Sequence, residues 1–317
     1  MRQSFARLCS LKNEMGSENL SSPHLLLNDT LRVPIERRVS QHLGRPWRVE
    51  MVTDQKDRAS HPAAILSDGV FAVFAKFGEN SLAHDRFTQE VVGLRLLRER
   101  SGVLTPTVVG NINVVGGTVM ILEAVREVER QPQHWRQMGH ALALIHRAKW
   151  DRCGLETHSY WGDIYQHNQP IRDWPTFYRD RRLLPRLRMA VDSGHLPLSL
   201  AKQIDKVVSR LPELCGPEVQ PTLLHGDAHQ NNFLSTSAGA VMIDPAVHYG
   251  HPELDLAYLD LFSPVPDDIL DAYTEMASVE AGFRERRDLW RISGWLGIVA
   301  KDASFLSELV LAVTKYI

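Results

Sequence analysis

The chain is poor in cysteine, with three in 317 residues. Cys9, Cys153 and Cys215 are far apart, form no CxxC pair and are odd in number. This excludes a disulfide framework or a paired-cysteine zinc site and fits a reducing cytoplasm. Long apolar runs are also missing: no segment reaches the ~18 residues of a membrane span. The stretch MRQSFARLCSLKNEMGSENLSSPHLLLNDT has no apolar run of signal-peptide length, and the acidic Glu14 and Glu18 argue against a transit peptide. Residues 1–28 therefore read as a poorly ordered extension. Neither charge sign is in excess: the formal net charge is -2, so nucleic acid and membrane are not expected as partners, whereas a small-molecule substrate is compatible. No internal repeat or low-complexity tract occurs.

What is present is a change of periodicity along the chain. Residues 48–77 alternate like strands, and VFAVFAKF follows the turn SDG. A helix is expected over about residues 83–100, then two strands joined by Gly116-Gly117. After Glu123 the pattern turns helical, with Trp135, Met138, Leu142 and Ile145 forming one stripe. DWPTFYRDRRLLPRLRMA, LSLAKQIDKVVSRL, DDILDAYTEMASVEAGF and the segment from Asp288 also read as helices. NNFLSTSAGAVMIDP reads as a hairpin ending at Asp244. The expected organisation is a β-rich unit over residues 29–123 and a mostly helical one over 124–317.

Two charges stand on apolar faces. Lys76 alternates with Val70, Ala72 and Phe74, and Glu90 shares a helix face with Phe87, Leu94 and Leu97. A lone buried charge costs several kcal/mol, so the two most economically satisfy one another. The segment LLHGDAHQNNFL (223–234) concentrates polar groups between apolar ends. Asp227, Asn232 five residues later and Asp244 after the hairpin supply a carboxylate to accept a hydroxyl proton and hard oxygen donors for Mg²⁺ and nucleotide phosphate. A competing reading takes His225, Asp227 and His229 as a zinc triad completed by His248 or His251.

LLHGDAHQNNFL, IDPAVHYGHPELDLA and DWPTFYRDRRLLPRL resemble the fructosamine kinase family, within the aminoglycoside phosphotransferase and protein-kinase-like group. The likeness runs from about Val70 to Phe262. It implies an α+β, bilobal protein-kinase-like fold with Mg·ATP held in the cleft. It also implies a kinase acting on the 3-hydroxyl of ketosamines, whose product eliminates, so that the enzyme serves deglycation. Carried to this chain, the resemblance makes Asp227 the catalytic base, Asn232 and Asp244 the metal ligands, and Lys76 the phosphate-binding lysine fixed by Glu90. The Ile121–Glu123 segment would meet adenine through its backbone, while Asp255 and His225 would support the loop.

Departures from the family pattern are local. Residues 54–68 contain no glycine where a phosphate-covering loop is usually glycine-rich. Ser60 and its neighbours' N–H groups would serve instead, with Arg58 and His61 adding charge. His229 stands where the family usually has tryptophan, as in aminoglycoside-type kinases. For the acceptor, His229, Trp161, Trp174, Tyr178, Glu253 and Asp163 are the candidate contacts. The alternatives to a ketosamine kinase are an aminoglycoside-type kinase for another hydroxyl and a nucleotide-binding module without turnover.

Overall fold

The computed structural model describes residues 24–56 and 61–317. These form two compact units: the described residues up to Phe87 with Thr107–Ala124, and Thr88–Pro106 with Val125–Ile317.

The first unit is built on a five-stranded antiparallel sheet in the order β1-β2-β3-β5-β4. Its strands are β1 (Met51–Asp54), β2 (Ala63–Ser67), β3 (Ala72–Gly78), β4 (Val108–Val114) and β5 (Gly117–Glu123). Alternation puts Val73, Ala75 and Phe77 of β3 on one face, where they join Leu66, Val119 and Ile121 in a core. Helix α1 (Asp29–Leu43) closes that core with Leu31, Ile35 and Val39. The Asn28 side chain caps α1 by accepting the Thr30 N–H, and Gly44, at φ 67°, ends it. Leu26 is fully buried in the same core. The expected extension therefore stops short of residue 28, and its residues 1–23 lie outside the described residues.

The grouping of Lys76 with Val70 is corrected. Val70 lies in the turn before β3 and is exposed, and the apolar core face is that of Val73, Ala75 and Phe77. Lys76, one residue out of phase, stands on the opposite face with Ala72 and Phe74, yet is itself buried.

The second unit takes most of helix α2 (Ser81–Ser101), which buries Val91, Leu94 and Leu97 and leaves Glu90 half-buried at the stripe's edge. Helix α3 (Pro132–His146) follows. Chain order continues through hairpin β6 (Ser159–Trp161)–β7 (Ile164–Gln166), α4 (Trp174–Tyr178), a π turn (Arg179–Leu183), α5 (Leu184–Asp192) and α6 (Leu198–Ser209). Strand β8 (Thr222–Leu224) pairs antiparallel with β11 (His248–Gly250), and hairpin β9 (Phe233–Thr236)–β10 (Gly239–Met242) lies between them in sequence. Helices α7 (Glu253–Tyr258), α8 (Asp268–Thr274), α9 (Phe283–Val299) and α10 (Leu306–Thr314) complete the unit. The helix expected over DDILDAYTEMASVEAGF stops at Thr274, and α9 begins before Asp288, after Gly282 at φ 82°. Among the described residues no helix is long and apolar enough to cross a membrane.

Helices α3 and α8 meet at Gly139, where an added Cβ would lie 2.1 Å from the Ile269 carbonyl. Only a residue without a side chain permits that approach. Gly139→Val should lower the thermal midpoint by several degrees, since overpacking costs about 1–3 kcal/mol. An unchanged midpoint in thermal denaturation would contradict this packing.

Candidate active site

After Leu224 the chain leaves β8 and turns through Gly226, whose φ of 80° suits glycine. An added Cβ there would sit 2.1 Å from the Ala246 carbonyl, so strand and loop can approach only over a glycine. The loop is fastened from below by Asp255 of α7, a fully buried residue. Its Oδ2 accepts the His225 N–H at 2.7 Å and its Oδ1 the Gly226 N–H at 2.9 Å. His146 Nε2 lies 3.2 Å from the same Oδ2, and His146 Nδ1 2.9 Å from the Tyr273 hydroxyl.

His225 is fully buried, with both ring nitrogens facing backbone. Nε2 donates to the Ile243 carbonyl at 3.1 Å, and Nδ1 accepts the Asp227 N–H at 3.3 Å. Burial holds its pKa below the usual histidine value, so the ring is the neutral tautomer those bonds require. Nothing is left for a metal. His248 and His251 are likewise buried and held neutral, the latter pushed down to about 3 by burial and then by Arg286. No group of three His, Cys, Asp or Glu side chains able to hold a metal occurs among the described residues, which removes the zinc reading. The two described cysteines, Cys153 and Cys215, are free and buried, with thiols raised to about 12 by burial.

Asp227 is the loop's product. Its side chain is 13% exposed. Oδ1 accepts the Trp161 indole N–H at 2.7 Å. Asn232 donates its amide to the Asp227 carbonyl oxygen at 2.8 Å and to Oδ2 at 3.2 Å. His229 Nε2 stands 3.8 Å from Oδ2, its ring edge-on to Phe262. Desolvation raises the Asp227 pKa, opposed by His229, His225 and the Trp161 bond and reinforced by Asp244.

The donor set suits a hard cation. Because the Asn232 amide nitrogen is turned to Asp227, its carbonyl oxygen faces away from that residue. Asp244 follows β10 with an exposed carboxylate and, at φ 50°, is the one non-glycine residue with positive φ among those described. Aspartate is among the few non-glycine residues that adopt this region. Two protein oxygens suffice for Mg²⁺, which retains waters.

In the first unit Lys76 lies with its ammonium 5.3 Å from the Phe87 ring centroid. Glu90 follows Phe87 by three residues on α2, on the same helix face. The Glu123 N–H is taken by the Thr107 carbonyl at 2.8 Å and the Ala124 N–H by Ala72 at 3.0 Å, while the Glu123 carboxylate meets His42 Nε2 at 2.8 Å. Neither N–H is available to adenine. Ser60 and Arg58 lie outside the described residues; His61 is bonded to Arg86 at 2.8 Å.

Four acceptor-contact expectations are corrected. Trp174 is core, stacked with Phe177 and Tyr178 at 5.7 and 5.4 Å. Tyr178 spends its hydroxyl on the Leu289 and Trp290 carbonyls. Glu253 is buried, with Oε2 accepting from Arg286 Nε at 3.0 Å and Trp290 Nε1 at 2.8 Å and Oε1 from Arg286 Nη2 at 2.5 Å, so neither oxygen is left for an amine. Asp163 is 53% exposed and pairs with Lys301. Sequence reasoning also missed Arg130, which donates to Ser235 Oγ and to the Gln230 and Phe233 carbonyls and so braces the turn carrying Asn232. Its only signal was a lone arginine just before α3. His146 was legible in principle, as a polar residue on the buried stripe of α3.

Against known proteins, the fold is that of the protein-kinase-like class. A more distant likeness carries the fold alone: an aminoglycoside phosphotransferase APH(4)-Ia variant, solved with ADP and hygromycin B, matches with TM-score 0.58 at 12% identity, over 89% of this chain and 96% of that one. The family model described as fructosamine kinase matches residues 33–302, and the chain belongs to that family. A Vibrio parahaemolyticus protein named a probable ketoamine kinase is 27% identical over 260 residues, 80% of this chain and 89% of that one. The crystal structure of a Thermobifida fusca protein with a provisional fructosamine-3-kinase name matches with TM-score 0.78 and 31% identity, over 89% of this chain and 98% of that one. The protein is thus a phosphotransferase.

Two outcomes follow from the geometry. Asp227→Asn keeps an oxygen for Trp161 but removes a buried charge. A carboxyl with a raised folded pKa binds more protons folded than unfolded, so its ionisation lowers stability as pH rises from the ordinary aspartate value of about 3.9 through the folded pKa. The variant should therefore have a thermal midpoint at pH 7 equal to or above wild type, and the gain should vanish below about pH 4. A midpoint well below wild type at pH 7 would contradict this. Asp244→Asn should hold the unfolding free energy within about 0.5 kcal/mol of wild type, because asparagine tolerates the left-handed region, while turnover is lost. Retained turnover would remove Asp244 from the site.

Proposed function

We propose that this protein is an ATP- and Mg²⁺-dependent kinase for the 3-hydroxyl of fructosamines and related ketosamines. The observation that carries this reading is the Asp255-fastened loop delivering Asp227 between Trp161 and Asn232, in a chain of the fructosamine kinase family. Asp227 orients the acceptor hydroxyl and takes its proton. The hydroxyl oxygen bonds to the γ-phosphorus of ATP as the bond to the bridging oxygen breaks, and ADP leaves with that electron pair. Magnesium, when bound, offsets phosphate charge; Asn232 and Asp244 are the residues that would hold it. Lys76 neutralises the α- and β-phosphates. With two N–H donors at residues 123 and 124 already committed, the adenine contact we assign to this segment falls on its other backbone groups.

We assign His229 as the acceptor-facing side chain, a hydrogen-bonding wall instead of a flat stacking surface; its place 3.8 Å from Asp227 Oδ2 supports this. The carboxylates of Glu253 and Asp163 are paired with Arg286 and Lys301, and this weighs against a polycationic aminoglycoside.

The test is ATP consumption by the purified protein with and without fructosyl-lysine, in the presence and absence of Mg²⁺. Stimulated, Mg²⁺-dependent turnover that Asp227→Asn reduces by at least about 10³-fold is expected, with ATP affinity of that variant within about threefold. Lys76→Ala should instead weaken ATP binding. ATP bound without stimulation by fructosyl-lysine would overturn the substrate assignment, and equal loss of ATP affinity in both variants would overturn the division of roles.

A further inference from the structure

Trp161 ends β6, and the alternation of the β6–β7 hairpin turns it inward with Ser159, Ile164 and Gln166, while Tyr165 faces out. Its indole lies against α9 at Gly297, where an added Cβ would meet Cζ3 at 3.0 Å, and against the edge of Tyr258. On a ring face stands the Arg186 guanidinium, 4.5 Å from the centroid. Arg186 is 3% exposed and donates to the Ser293 carbonyl at 2.9 Å and to Gln166 Oε1 at 3.1 Å. Both acceptors are neutral, and no carboxylate lies within ion-pair distance of Arg186 among the described residues.

A buried guanidinium without a counter-ion is costly and calls for an account. The ring that it covers donates its N–H to Asp227 Oδ1 at 2.7 Å, a charge-assisted length. A cation on the π face withdraws electron density from the indole and makes that N–H a stronger donor. The positive charge thus acts on the carboxylate through the ring, without a direct ion pair that would neutralise the base or turn it aside. The two carboxylate oxygens are thereby made inequivalent. Oδ1 is held by the indole, while Oδ2 has the weaker Asn232 contact at 3.2 Å and His229 at 3.8 Å.

We propose that Arg186 and Trp161 form a buried positioning device for Asp227, in which the arginine polarises the indole, the indole fixes Oδ1, and Oδ2 is left as the oxygen that meets the acceptor hydroxyl. This assigns Trp161 a role different from an acceptor-stacking wall, and it rests on the reading of Asp227 as the catalytic base.

The test combines kinetics with the indole signals of ¹⁵N-labelled full-length protein. Trp161→Phe keeps the ring and removes the donor. It should lower kcat by about 10- to 100-fold, the worth of a hydrogen bond to a charged group, with KM for ATP within about twofold. Arg186→Gln should lower kcat by about 2- to 30-fold, the worth of a cation–π contact, and should add little to Trp161→Phe in the double variant. One indole N–H peak, absent in Trp161→Phe, should lie downfield in wild type and move upfield in both Asp227→Asn and Arg186→Gln. Wild-type kcat in Trp161→Phe, or additive losses in the double variant, would overturn the device even if Asp227→Asn is inactive. Should Trp161→Phe not fold, an indole spectrum unmoved by Asp227→Asn overturns it equally. An active Asp227→Asn overturns instead the reading on which the device rests, and the same spectra still report whether the bond exists.

Discussion

The carboxylate of Asp255 is the constraint on which the site depends. It is fully buried and accepts two consecutive backbone N–H groups, from His225 and Gly226, at the point where the chain leaves β8. Without it, two buried donors at a glycine in the left-handed region would be unsatisfied, each costing about 1–3 kcal/mol. With it, the turn through Gly226 is fixed and Asp227 is delivered in one orientation. The support extends outward through His146 to Tyr273, so α3, α7 and α8 all converge on one carboxylate.

From this anchor the polar groups separate by what they are asked to do. His225, Asp255 and Glu253 are saturated by protein partners and belong to the scaffold. Asp227 is held at an energetic disadvantage, desolvated and next to another carboxylate, which is the usual condition of a group kept for chemistry. Asp244 stands at a positive φ and leaves its carboxylate exposed. Trp161 and Arg186 fall between these classes: they are buried like core residues, but their polar atoms point to the reacting group or support one that does.

Much of this was legible in the sequence where function and local structure coincide. The spacing of Asp227, Asn232 and Asp244 around a hairpin could be read because the turn, the strands and the polar residues are contiguous. Fold class followed from the switch of period after Glu123 and from the resemblance carried by three motifs. Helix α1 was missed because Pro34 and several arginines obscure its stripe, and β8 and β11 because three-residue strands have no period to detect. Lys76 was assigned to the wrong neighbours because alternation sets a residue's face only once the strand's start is known, and β3 begins after Val70. Glu253 and Trp174 were misread as acceptor contacts because their partners, Arg286 and Trp290, come from a helix more than thirty residues away in sequence. The Trp161 bond to Asp227 spans 66 residues and has no local signature at all.

The most direct test of the account is hydrogen–deuterium exchange at the His225 and Gly226 amides, measured with turnover, in wild type and in Asp255→Asn. The account expects both amides to be strongly protected in wild type. In the variant, where an amide NH2 replaces one acceptor oxygen, it expects exchange to rise to that of surface loops while turnover collapses and the rest of the unit stays protected. Unchanged protection and turnover in Asp255→Asn would show that the loop is held by something other than this carboxylate, and the central claim would fail.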